Sequence, residues 1–89
     1  MKIELYLVPE DIHGKAIKIF LQKNNLKFHE IITNDINELE QVTRRKLPEK
    51  ISILKVTYSH SIHVQEGFNE HFMNQNILEH IKKYNARLI

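Results

Sequence analysis

The chain of 89 residues contains no cysteine. That absence excludes a disulfide, a thiolate metal site and a thiol nucleophile. Glycine and proline are scarce, two of each, and with 42% hydrophobic residues this composition belongs to an ordered globule rather than a disordered tail. Charge of one sign is also lacking. A formal net charge of +2 exerts no strong pull toward nucleic acid or an anionic membrane. No apolar run approaches the roughly 20 residues needed to span a bilayer. The opening MKIELYLV carries Glu4 inside a short apolar stretch and runs into Pro9-Glu10-Asp11, a poor secretory signal. Together these features predict one small soluble domain over residues 1–89, cytoplasmic, with no membrane and no nucleic-acid partner. A domain of this length buries only about 60–65% of its extended-chain surface.

What is present has clear periodicity. Ile3, Leu5 and Leu7 alternate with Lys2, Glu4 and Tyr6, which predicts a strand that Pro9 ends. Ile12, Ala16, Ile19 and Phe20, widened by Ile17 and Leu21, predict a helix from Asp11 to about Asn24. Asp11 suits its N-cap and Asn24-Asn25 a left-handed C-terminal turn. Leu26 to Thr33 reads as a second strand, parallel to the first because a helix joins them. Asp35 with Glu38 three residues on is an acidic capping box, opening a helix that ends in Arg44-Arg45-Lys46. Ile51–Tyr58 and Ile62–Gln65 predict a hairpin turning at Ser59-His60-Ser61. The last segment is expected as two helical pieces, one capped by Asn69 and one by Asn76, the second with a stripe of Ile77, Leu78, Ile81 and Tyr84.

The order β-α-β-α-β-β-α(-α) gives an α/β domain. The layout from Tyr6 to Phe28, with Pro9 before a four-residue turn and a helix, resembles glutaredoxins, in which Tyr-Thr-Lys-Pro-Gly-Cys-Pro-Tyr-Cys precedes the helix. Tyr6, Pro9, Lys23 and Phe28 match that pattern, and Glu66-Gly67-Phe68-Asn69-Glu70 is similar to the family's Gly-Gly-Phe-Asp-Glu. The resemblance implies a thioredoxin/glutaredoxin-like fold: a four-stranded mixed sheet in the order 2-1-3-4 with helices on both faces. Where the family carries Cys-Pro-Tyr-Cys, this chain carries Asp11-Ile12-His13-Gly14. Its cis-proline position falls at Leu54, after Ser52 and Ile53. A cis bond without proline costs about 3–4 kcal/mol, so a trans bond is expected there.

The chemistry is therefore absent from a frame that is kept. A carboxylate at Asp11 cannot exchange disulfides and Gly14 offers no resolving group. The resemblance implies a redox-inactive protein without catalytic residues, acting as a non-catalytic protein-binding or adaptor module. Its partner face would comprise Tyr6, Pro9, Ile53, Leu54, Gly67, Phe68 and Asn69 beside the degenerate turn Asp11–Gly14. The alternative is a binder of glutathione or another small molecule, or a transferase-like domain, using a remnant thiol pocket with Tyr6 as the hydroxyl. Glutathione is the one cofactor the resemblance leaves open. Self-association is a third role. The six histidines, His13, His29, His60, His63, His71 and His80, show no metal-site spacing, so no metal is expected, with His60 and His63 the one pair to examine. Asp11 and His13, two apart, should not face each other as an acid–base pair. The basic stretches Arg44–Lys50 and Lys82, Lys83 and Arg87 lack interleaved aromatics and read as solvated helix ends.

Overall fold

Strand β1 (Lys2–Leu7) lies inside the sheet and both its faces are covered. The computed structural model describes residues 1–79 and continues through α1 (Ile12–Lys23), β2 (His29–Ile32), α2 (Ile36–Thr43), β3 (Ile53–Thr57), β4 (Ile62–Glu66) and α3 (Glu70–Met73). The sheet is four-stranded and mixed, in the order β2-β1-β3-β4. β1 runs parallel to β2, with Leu5 beside Glu30, and antiparallel to β3, with Leu5 opposite Leu54. β3 and β4 form an antiparallel hairpin with Lys55 opposite Val64. Its loop is Ser59-His60, closed by the Tyr58 N–H donating to the Ser61 carbonyl at 2.8 Å.

Alternation along the strands divides the interior into two cores. Ile3, Leu5, Leu54 and Val56 meet Ile17 and Leu21 of α1 and Met73 and Ile77 of the C-terminal helix. On the opposite face, Ile53 with Tyr6 and Val64 meets Leu39, Ile36 and Val42 of α2, joined by Val8 and Leu47. Helices thus lie on both faces of the sheet.

Boundaries differ in instructive places. The buried stripe of α1 is Gly14, Ile17 and Leu21, while Ile12 and Ile19 face solvent. The expected stripe was shifted because the small Gly14, not a large apolar residue, meets the sheet. The C-terminus of α1 closes as a Schellman motif: Asn25 is left-handed at φ 55°, its N–H donates to Gln22, and the Leu26 N–H donates to Leu21. β2 begins at His29 rather than Leu26, since Leu26 and Phe28 turn inward to pack on the first core. The capping box of α2 is indirect. Asp35 accepts from the Asn37 N–H, but Glu38 accepts from the Thr33 hydroxyl, which itself accepts from the Asp35 N–H. α2 ends at Thr43, because Arg44 adopts a left-handed φ of 59°, so Arg45 and Lys46 lie beyond the helix.

The two helical pieces expected at the C-terminus are one continuous run. α3 is capped by Asn69, whose side chain accepts from the Phe72 N–H at 3.1 Å, and passes directly into a π-turn over Asn74–Leu78. Asn76 is therefore no cap. It sits inside the helix and donates to the Phe72 carbonyl at 3.0 Å. Ile77 is buried, whereas Ile81 and Tyr84 of the expected stripe lie outside the described residues.

Candidate functional site

The turn between β1 and α1 is built from four residues with distinct tasks. The Asp11 N–H donates to the Val8 carbonyl at 3.2 Å, closing a tight turn with Pro9 second and Glu10 third. Glu10 has φ 67°, the left-handed value that a type II turn demands of its third residue. Proline favours the second position, but glutamate is a strained choice at the third. Pro9 and Glu10 are exposed, and Ile12 in the first turn of α1 is 75% exposed.

Asp11 uses both carboxylate oxygens internally. Oδ1 accepts from the His13 N–H at 3.1 Å, which makes Asp11 the N-cap of α1. Oδ2 accepts from the main-chain N–H of Ser52 at 2.8 Å. Partial burial would raise the carboxyl's pKa. The hydrogen bonds from the Ser52 main chain and side chain and from the His13 N–H outweigh burial and hold it below the ordinary aspartate value. Asp11 and His13 meet through a cap and not as a side-chain acid–base pair.

Ser52 is the hub. It is fully buried; its Oγ accepts from the Val8 N–H at 2.9 Å and its carbonyl accepts from the Gly67 N–H at 2.8 Å. The hydroxyl also explains Gly14. A Cβ on Gly14 would lie 2.4 Å from Ser52 Oγ and 2.3 Å from Leu7 Cδ1, so only glycine lets α1 approach here. His13 completes the joint, its Nδ1 accepting from the Phe68 N–H at 3.0 Å. Gly67 is left-handed at φ 73°, and a Cβ there would press on Ile51 Cδ1 and His13 Nδ1.

The expected site residues separate into three groups. Asp11, His13, Gly14, Gly67 and Phe68 come together in the joint, and Asn69 caps the helix leaving it. Phe68 also sits edge-on to Phe20, with ring centres 6.4 Å apart. Pro9 and Ile12 form an exposed rim. Ile53 and Leu54 are fully buried, one in each core, so their side chains cannot meet a partner; a central strand covered on both faces leaves them no surface. Tyr6 packs with the α2-side core, away from the α1-side core that holds Phe68. Burial there, with the nearby charges of Glu4 and Glu38, raises its phenol above the usual tyrosine range. Among the described residues no peptide bond is cis, the bond before Leu54 included.

Ser52 itself was not singled out by sequence. The one available signal is a small polar residue between Ile51 and Ile53 in a run otherwise suited to a buried strand. His60 lies in the hairpin loop, whereas His63 is edge-on to Tyr58 at 5.6 Å and to Phe72 at 6.4 Å. Among the described residues no three His, Asp or Glu side chains are grouped to hold a metal ion. No helix among them is long and apolar enough to cross a membrane. Comparison of the chain with protein-family models, with curated proteins and with solved structures finds no match.

Proposed function

We propose that this protein is a redox-inactive, thioredoxin-type domain related to glutaredoxins that serves as a non-catalytic protein-binding or adaptor module. The observation that carries this reading is the double use of Asp11. At the place of a nucleophile stands a carboxylate whose two oxygens are spent on the cap of α1 and on the Ser52 N–H. The sheet order and the placement of helices agree with such a fold. Partner contact falls to the exposed rim of Pro9, Glu10 and Ile12, which the joint beneath holds rigid.

The alternative, a glutathione or small-molecule binder, finds less support. The main chain beside Leu54, which would receive a tripeptide in a relative, is engaged within the fold. Ser52 uses its N–H and its carbonyl on Asp11 and Gly67, and Ile53 pairs with Tyr6 of β1. The Val8 N–H is likewise taken by Ser52 Oγ.

Two measurements test the proposal. A glutathione-coupled disulfide-reduction assay is expected to stay at blank, and clear turnover overturns it. In an NMR titration with millimolar glutathione, amide shifts gathered at residues 8–14 and 66–70 would favour the small-molecule reading. Silence there, with loss of a co-purifying partner on Ile12→Asp, supports the adaptor.

A further inference from the structure

The outer edge of β4, unpaired among the described residues, is matched to itself. The hairpin bonds Tyr58 N–H to Ser61 O and Gly67 N–H to Ser52 O fix which residues of β4 face β3. With the observed register, Ser61, His63, Gln65 and Gly67 exchange main-chain bonds with β3. Ile62, Val64 and Glu66 therefore turn their N–H and carbonyl groups outward, away from the sheet. No bulge interrupts the register from Ile53 opposite Glu66 to Thr57 opposite Ile62.

The usual guards of an exposed edge are missing. β4 carries no lysine and no proline. Its only formal charge, Glu66, is engaged by both guanidinium nitrogens of a bidentate bridge from Arg45. Ile62, at the start of the strand, is 57% exposed. The opposite edge offers less: β2 has four residues, beginning with the exposed His29 and Glu30.

We propose that β4 pairs antiparallel with β4 of a second copy of this chain, about a two-fold axis through Val64. That register places Val64 opposite its own counterpart and Ile62 opposite Glu66 of the other copy. Every outward N–H then meets an outward carbonyl, since the three residues are spaced by two and centred on Val64. Their side chains all lie on the α2 face, where Val64 already joins the core, so each Ile62 gains cover from the other copy. A second copy fits better than an unrelated peptide because the outward groups of Ile62, Val64 and Glu66, centred on Val64, supply their own main-chain complement in a single symmetric register. One strand pair buries less than the roughly 800 Å² per partner of a standard interface, so the dimer is weak and concentration-dependent.

The absence of native cysteine makes the register directly testable. Cα atoms at the axis lie about 5.5 Å apart in such a pair, within the range of a disulfide. Val64→Cys is expected to form a covalent dimer on mild oxidation. Ile62→Cys is not, since its counterpart is about 13 Å away along the strands. Sedimentation of the unmodified chain up to millimolar concentration is expected to show a monomer–dimer equilibrium. Ile62→Lys should weaken it about tenfold or more, by setting a charge on the edge, with an unchanged thermal melt. A chain that stays monomeric at millimolar concentration, an Ile62→Cys variant that cross-links as readily as Val64→Cys, or an Ile62→Lys variant with undiminished association would each overturn the proposal.

Discussion

The carboxylate of Asp11 accepts the main-chain N–H of Ser52 at 2.8 Å, joining positions 41 residues apart. The bond ties the start of a helix to the entry of a central strand. Asp11→Ala removes the cap, worth about 1 kcal/mol, and leaves the Ser52 N–H without its acceptor. The expected loss is about 2 kcal/mol in a urea unfolding curve, with Asp11→Asn retaining part of it. A loss indistinguishable from zero would show that the bond does not hold this joint.

Acid should act through the same group. The folded carboxyl of Asp11 titrates below its unfolded value, so its contribution is complete above the unfolded pKa and is lost as pH falls through the folded one. Glu66, held down mainly by its hydrogen bonds from Arg45, adds in the same direction. Through these two groups stability should therefore decline below about pH 4. Urea midpoints measured between pH 6 and pH 3 should fall less steeply in Asp11→Asn than in the parent. Parallel curves would exclude Asp11 as a source of the acid loss.

Gly14→Ala is expected to be costly although alanine favours helices. Its methyl would overlap Leu7 Cδ1 and Ser52 Oγ, and Ser52 cannot withdraw without abandoning the Val8 N–H. Overpacking of this kind costs about 1–3 kcal/mol. A melting temperature equal to or above the parent's would contradict the close approach.

Glu10→Gly should do the reverse. The left-handed backbone at Glu10 costs an L-residue about 1–2 kcal/mol, and glycine's larger unfolded-state entropy returns part of that. A net gain of about 0.5 kcal/mol is expected, read as a higher urea midpoint. The same substitution removes a charge from the rim, so weakened partner binding in a more stable protein would point to Glu10 as a contact.

The strands and helices were legible because their periodicities are local. Ile3 and Leu5 on β1, or Asp11 and Asn25 at the ends of α1, announce themselves within a few residues. Chain ends of elements were less so. Arg44 stops α2 by taking a left-handed turn that no glycine or asparagine marks. Ser52 was illegible as a hub, since its three roles depend on Val8, Asp11 and Gly67, all distant or separated by a hairpin. Leu54 and Ile53 were expected at a surface because they align with a substrate-facing segment. Two-sided cover of β3 is a property of the whole sheet and cannot be read from either residue.

Ile53 and Leu54 are adjacent in sequence and yet belong to different cores. Neither core can be opened without disturbing β3, and through it the other. The small domain consequently has no natural line of cleavage between its layers. Amide exchange on the α1 side and on the α2 side should report one shared opening free energy, the behaviour of a single cooperative unit despite two separate interiors.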